Sequence, residues 1–343
     1  MARKFNEENE RIKRQYLTFL REAKRCDFAT VDKAADAILR FERGTGYKPL
    51  KRFKIEQATA FKRQLEADRN ARTGKPLSKA TIDGTLRAVK AFILWLAGQP
   101  GYKSRISYSD AEYFNLNAKD SRVAHAERAT PYPSLEQCRH AFSLMPEATD
   151  IERRNKALFA FLMLTGARDG AVASLRLKRI DLVEGCVYQD ARDVKTKNAK
   201  TFTTWFLPVD PIYLACFTAW VTHLRQNLLF GHDDALFPKP TMGMINGSFA
   251  VEGLSRHTYA NADKIREVIK DAFTSAALPS FAPHSFRKTL VKWADRHYPS
   301  REAFKAFSQN IGHDSTVTTV SSYLPVSPER QAELIRIGPA AEH

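Results

Sequence analysis

The amino-acid sequence predicts a mainly α-helical protein of two domains, the second carrying one small β-hairpin. Three observations point there. Apolar residues recur at helical spacing along most of the 343 positions, one segment at 186–209 is instead rich in β-formers, and a polar, Pro-punctuated stretch separates two patterned blocks. The length exceeds that of a usual single core, and 43% hydrophobic content is ordinary for a packed globular chain.

Residues 8–25 read as a basic helix. Residues 29–43 place Val31, Ala34, Ala35, Ile38, Leu39 and Phe41 at helical spacing before Gly44 and Gly46 break the run, and a shorter helix follows near 55–68. The clearest N-terminal helix starts after Ser78, a natural N-cap. It runs to Leu96 with Ile82, Leu86, Val89, Ile93 and Leu96 on one stripe. Gly98, Pro100 and Gly101 stop it, and 101–133 is polar and basic without clear period. These features place a helical domain at 1–115, a linker at 116–133 and a second domain at 134–343.

In the second domain, helices are expected at 134–145, at 151–165 ending on Gly166, and at 169–176. Val187, Tyr188 and the run Phe202 to Val209 flank the polar KTKNAK segment, which reads as a hairpin. Further helices are expected at 212–229, 261–277, 284–297, 301–311, 315–323 and 328–337, the last opening on Ser327 and Pro328. Its apolar edge, Leu334, Ile335 and Ile337, suits docking on its own domain or on a neighbouring protomer.

The net charge of +16 points to a polyanionic partner, with nucleic acid foremost, because phosphates held by Lys and Arg release condensed counterions. The charge is uneven: residues 1–125 carry 27 basic and 15 acidic side chains, which favours an N-terminal binding clamp. Cys26, Cys138, Cys186 and Cys216 show no C-x-x-C pair or matching His spacing, so neither a disulfide framework nor a zinc site is suggested. The longest apolar runs are too short to span a bilayer, and a cytoplasmic, DNA-associated location is expected.

Exchange at a phosphodiester without a metal needs cations on the nonbridging oxygens, a proton donor for the departing 5′ oxygen, and a nucleophile able to hold a covalent phosphate. TGARDGAVASLRL at 165–177 sets Arg168 between a helix end and the next helix start, where its guanidinium can meet a phosphate in a fork. PHSFRKTL at 283–290 puts His284 and Arg287 three apart, on one face of a first helical turn. NIGHDSTVTTVSSYLPV at 310–326 offers Gly312 as a helix C-cap, His313 beyond it, and Tyr323 on a short helix that Val317 and Val320 are expected to anchor. Taken singly, each of these residues is more often structural. Their order and spacing carry the functional reading: His313 falls 29 residues after His284, and Tyr323 ten after that.

The order Arg, hairpin Lys, H-x-x-R, G-H, Tyr resembles the tyrosine recombinase (phage integrase) family over about 165–325. The resemblance implies a helical, SAM-like core-binding domain followed by a catalytic domain. It implies that Arg168 and Arg287 clamp the phosphate, His284 manages protons, and His313 hydrogen-bonds the scissile phosphate. Tyr323 would attack, giving a 3′-phosphotyrosyl intermediate and a free 5′-hydroxyl, with no cofactor, metal or nucleotide required. For the hairpin lysine, Lys195 is favoured because a Lys-Thr pair matches the family pattern, with Lys197 second and Lys200 also near the turn. Two departures stand out: Ala171 occupies the position where the family usually has Glu, and the interval from His313 to Tyr323 is one residue longer than the family's usual spacing. Asp169 is a candidate replacement for that carboxylate.

The implied partners are double-stranded DNA carrying specific recombination sites and further copies of the chain, assembled as a tetramer on DNA. The setting would be a mobile genetic element or a related exchange system. A type IB topoisomerase-like relaxing enzyme and a catalytically silent DNA-binding protein of the same fold are the alternatives.

Overall fold

The structure is a computed structural model that describes residues 5–71, 73–126, 130–245, 248–313, 316 and 319–320. The chain divides into two compact units, Met1–Arg128 and Ala129–His343.

The first unit is helical: α1 (Glu7–Thr18), which continues into a π-helical turn at Phe19–Ala23, then α2 (Phe28–Gly44), α3 (Ile55–Ala67), α4 (Lys79–Ala97) and α5 (Ala118–His125). Side-chain caps set the starts. Asp27 accepts from Thr30 N at 2.7 Å, and Ser78 accepts from Thr81 N at 3.1 Å, each satisfying an otherwise orphaned amide. The expected α4 stripe is buried, Ile82, Leu86, Val89, Ile93 and Leu96 all facing the core. At the centre Phe41 meets Phe61 and Phe114 edge-on, at ring separations of 5.2 and 5.5 Å. A buried Lys13–Glu42 ion pair joins α1 to α2.

Helix α5 lies within the segment expected to be a linker. It is polar, so no apolar period announces it. Asn117 caps it by accepting from Asp120 N at 2.8 Å, and Asp120 pairs with Lys79 of α4 at 2.9 Å. Residues 118–125 therefore belong to the first unit, and the boundary falls later than sequence pattern suggests.

The second unit contains α6 (Leu135–Ser143), α7 (Asp150–Thr165), α8 (Asp169–Ser174), strands β1 (Ile180–Asp181), β2 (Cys186–Gln189) and β3 (Phe202–Trp205), then α9 (Pro211–Gln226), β4 (Pro240–Ile245), β5 (Ser248–Leu254), α10 (Asp263–Ser275), α11 (Pro283–His297) and α12 (Arg301–Asn310). The second half of α7 is apolar around its circumference, and Ala157 to Leu164 are all buried, which makes it the axis of the core. Phe159 packs on Phe142, Phe273 and Phe286, while Phe161 packs on Phe217 and Phe237.

The expected hairpin forms, with Val187 opposite Thr204 and Gln189 opposite Phe202, and gains a short third strand in the order β1-β2-β3. Its far strand is bolted to the end of α12. Thr204 Oγ1 donates to Asn310 O at 2.8 Å, Trp205 N to Asn310 Oδ1 at 2.7 Å, and Asn310 Nδ2 to Trp205 O at 2.9 Å. The KTKNAK loop is thereby held near the turn that follows α12.

A second hairpin, β4–β5, was not expected from sequence pattern. Met242, Met244 and Val251 on it are exposed, so its strands bury too little to read as core strands. The helices expected at 212–229, 261–277, 284–297 and 301–311 are present within a few residues of their expected ends. Of the helix expected at 315–323, Thr316, Thr319 and Val320 are described and helical. The helix expected at 328–337 lies outside the described residues.

Candidate active site

Three chain segments that the sequence singled out meet at the guanidinium of Arg287. Helix α7 ends on Gly166 in the left-handed region at φ 55°, with its amide donating to Leu162 O at 2.8 Å. A side chain there would be strained, and its Cβ would also sit 3.1 Å from Leu290 Cδ1, so glycine lets α11 approach closely. Arg287, in the first turns of α11 and only 2% exposed, donates from Nε to Gly166 O at 2.6 Å. Its Nη2 donates to Ile311 O at the end of α12, and its Nη1 contacts His313 Nε2 at 3.2 Å.

Gly312, at φ 77°, turns the chain out of α12, and His313 N closes the turn on Ser308 O at 3.1 Å. A Cβ on Gly312 would lie 2.6 Å from the Phe202 ring. This close approach sets β3 against the His313 turn. His313 is 5% exposed, and its Nδ1 meets Thr319 Oγ1 at 2.7 Å. Thr319 Oγ1 in turn meets Ser308 Oγ at 2.7 Å.

Arg168 caps α8 in extended conformation and is half-buried. His284 is exposed at the start of α11. Desolvation by the surrounding protein, then the charges of Arg287 and Arg168, push His284 below the usual histidine range, with Lys288 adding to the effect and Asp169 opposing it. The same causes act more strongly on His313. Burial first, then Arg287, Arg168, His284 and Lys200, bring it down to about 4. Arg168, His284, Arg287 and His313 are thus close enough to share one field of concentrated positive charge.

The hairpin lysines divide. Lys195 donates from Nζ to Ala260 O at 2.6 Å, and its backbone amide donates to Ser174 Oγ of α8 at 2.8 Å. Lys197 is exposed in a tight turn whose next residues, Asn198 and Ala199, both take positive φ. Lys200 lies over the Phe202 ring at 5.8 Å, and its charge is among those that lower His313.

Ala171 is buried against the core and supplies no carboxylate. Asp169 does: its Oδ1 accepts from Gly170 N at 2.8 Å, its Oδ2 accepts from Arg266 Nε at 2.6 Å, and its charge is felt by His284. Tyr323 lies outside the described residues. Of the two valines expected to anchor its helix, Val317 also lies outside them, while Val320 is 49% exposed. The buried residue there is Thr319, which sequence pattern passed over because burial of a hydroxyl depends on partners that no local spacing reveals.

No protein-family model and no curated protein matches this sequence. Solved structures do. A lambda integrase dimer bound to a COC′ core site aligns with a TM-score of 0.62 at 11% identity, covering 92% of this chain and 94% of that one. The XerH site-specific recombinase in a post-cleavage complex with palindromic difH substrate aligns at 0.61 with 16% identity, covering 95% and 84%. The chain has the tyrosine-recombinase fold. The Tn1549 transposon integrase in complex with transposon right end DNA aligns at 0.59 with 16% identity over 96% of this chain and 99% of that one. Such a recombinase fold is mainly helical with small antiparallel sheets, as the residue pattern predicted. Among the described residues, no helix is long and apolar enough to cross a membrane.

Proposed function

We propose that this protein is a site-specific DNA strand transferase that cuts and rejoins DNA through a 3′-phosphotyrosyl intermediate. The single observation that carries this reading is the convergence at Arg287: a buried guanidinium anchored on Gly166 O and touching His313, with Arg168 and Lys200 acting on the same imidazole. So many cationic groups around one buried site are costly without a polyanion to receive. A DNA phosphate supplies it.

In this reading Arg168 and Arg287 hold the nonbridging oxygens by forked hydrogen bonds, which favour the charge that develops on them during transfer. The Tyr323 phenol oxygen bonds to phosphorus as the bond to the 5′ oxygen breaks, and His284 accepts the phenol proton. Lys200 gives a proton to the 5′ oxygen, which leaves as a hydroxyl. Religation reverses these transfers onto a different strand. The bond energy is kept in the phosphotyrosine, so no nucleotide is consumed. The partners are double-stranded DNA and further copies of the chain, assembled as a tetramer on paired sites, and the location is cytoplasmic at the DNA. The basic N-terminal unit supplies sequence-independent backbone contacts.

The test is covalent capture from a randomised pool of nicked duplexes, followed by sequencing of the trapped DNA. Wild-type protein yields a denaturant-resistant complex enriched in one site, and Tyr323→Phe yields none. Capture by that variant at wild-type levels would falsify the assigned nucleophile. Products that show only lost supercoils, with no exchange between two duplexes, would replace the recombinase reading with a relaxing enzyme.

A further inference from the structure

His313, Thr319 and Ser308 form a buried chain of polar groups that no part of the mechanism above uses. Thr319 is fully buried and Ser308 is 1% exposed. A threonine so placed must satisfy its hydroxyl, and it does so on both sides at 2.7 Å, toward His313 Nδ1 and toward Ser308 Oγ. The direction of these bonds can be worked out. A guanidinium only donates, so the 3.2 Å contact of Arg287 Nη1 makes His313 Nε2 the acceptor. A neutral imidazole with an accepting Nε2 carries its proton on Nδ1, and that proton goes to Thr319 Oγ1. The threonine hydroxyl is then free to donate to Ser308.

We infer that Thr319 is a positioning residue that locks His313 in the Nδ1–H tautomer, so that Nε2 stays the acceptor that orients Arg287 Nη1 and with it the guanidinium that would hold the phosphate. The proposal rests on the strand-transfer reading only for its consequence. The tautomer itself is a property of the DNA-free protein. Arg287 fixes one ring nitrogen and Thr319 the other, so the imidazole plane is set from both ends. Partners of this kind on the far nitrogen of a histidine typically fix both tautomer and ring orientation. Thr319 also stands four positions before Tyr323 in the chain, so the residue that orients the histidine belongs to the stretch leading to the nucleophile.

The experiment uses the full chain with ¹⁵N-labelled histidine, and His313 is assigned by comparison with H313Q. Long-range ¹H–¹⁵N correlations at pH 7 should show Nδ1 protonated in wild type and in T319S, and a mixture of tautomers in T319V, which keeps the volume but loses the hydroxyl. Covalent capture of the nicked duplex selected by wild type should fall about 10- to 100-fold in T319V, the size usual for loss of such a partner, and recover in T319S. Binding of the same duplex, measured by anisotropy, should not change. An Nε2–H tautomer in wild type, or an unaltered tautomer and capture rate in a folded T319V, overturns the proposal. If T319V does not fold, the wild-type and T319S spectra still decide. Failure of wild type to capture any DNA would sink the strand-transfer reading and leave the tautomer result standing.

Discussion

The guanidinium of Arg287 donates to the carbonyl oxygen of Gly166 at 2.6 Å, across 121 positions of sequence. This bond joins the residue that ends the central helix to the first turns of α11. The remaining nitrogens of the same group reach Ile311 O and His313. Arg287 therefore has two tasks, and its substitutions should separate them. Arg287→Lys keeps the charge, but one compact nitrogen cannot span the separate acceptors that three guanidinium nitrogens reach. Leaving a buried carbonyl unpaired costs about 1–3 kcal/mol, so urea denaturation of the variant should show a loss of that size. Covalent capture should fall by about 100-fold or more, as for removal of one transition-state donor. A variant that cleaves normally would show that the buried arginine is scaffold alone.

Acid should weaken the fold through the two histidines. Both have folded-state proton affinities below their unfolded value, His313 at about 4. Between about pH 6.5 and that value the unfolded chain binds protons that the native chain excludes, so stability rises with pH there. The native advantage is complete above the unfolded histidine range and is lost as pH falls toward 4. The melting temperature should therefore drop between pH 7 and 5. His313→Gln should flatten this drop, and an equal slope in wild type and variant would show that other groups set the acid limb.

Much of this architecture was legible because the signals were local. Ser78 and Asp27 are caps, and the α4 stripe is written in one helix. Arg168, His284, Arg287 and His313 were legible because their spacing is distinctive, and the structure brings their charges onto one another. What escaped depends on partners distant in sequence. Helix α5 is held by a cap and by Lys79, not by an apolar stripe. Val320 looked like an anchor by composition, but the buried position is taken by Thr319, whose partners are Ser308 and His313. The β4–β5 hairpin escaped because its exposed Met242, Met244 and Val251 write no core-strand pattern.

Gly312 is the second glycine that the site requires. Its φ of 77° and the 2.6 Å approach of the Phe202 ring to a would-be Cβ both oppose a side chain. The left-handed conformation alone costs a non-glycine residue about 1–2 kcal/mol. Gly312→Ala must also displace the Phe202 ring, over which Lys200 lies, so its capture rate should fall more than its stability does. Gly98→Ala, far from these residues in sequence and at ordinary φ, is the control. If Gly312→Ala melted like wild type and captured DNA at the same rate, the close seating of β3 would have no part in activity.

The lysine assignment can be tested by the chemistry of the leaving group. A 5′ alkoxide must be protonated as it departs, whereas a 5′ thiolate leaves without help because its conjugate acid is far stronger. Removing a general acid typically costs about 10²–10⁴ in rate on the oxygen substrate. Substituting sulfur for the bridging 5′ oxygen should restore that loss only in the variant that lacks the proton donor. Lys200, whose charge reaches His313, is the expected donor, while Lys195 is engaged with Ala260 O at 2.6 Å. Lys200→Ala should thus be slow on oxygen and near wild type on sulfur. Lys195→Ala should show one rate deficit on both substrates, because its bond to the 260 carbonyl secures the loop whichever atom departs. Sulfur rescue of Lys195→Ala in place of Lys200→Ala would return the role to the Lys-Thr pair that sequence pattern favoured, and would mean that the hairpin rearranges when DNA binds.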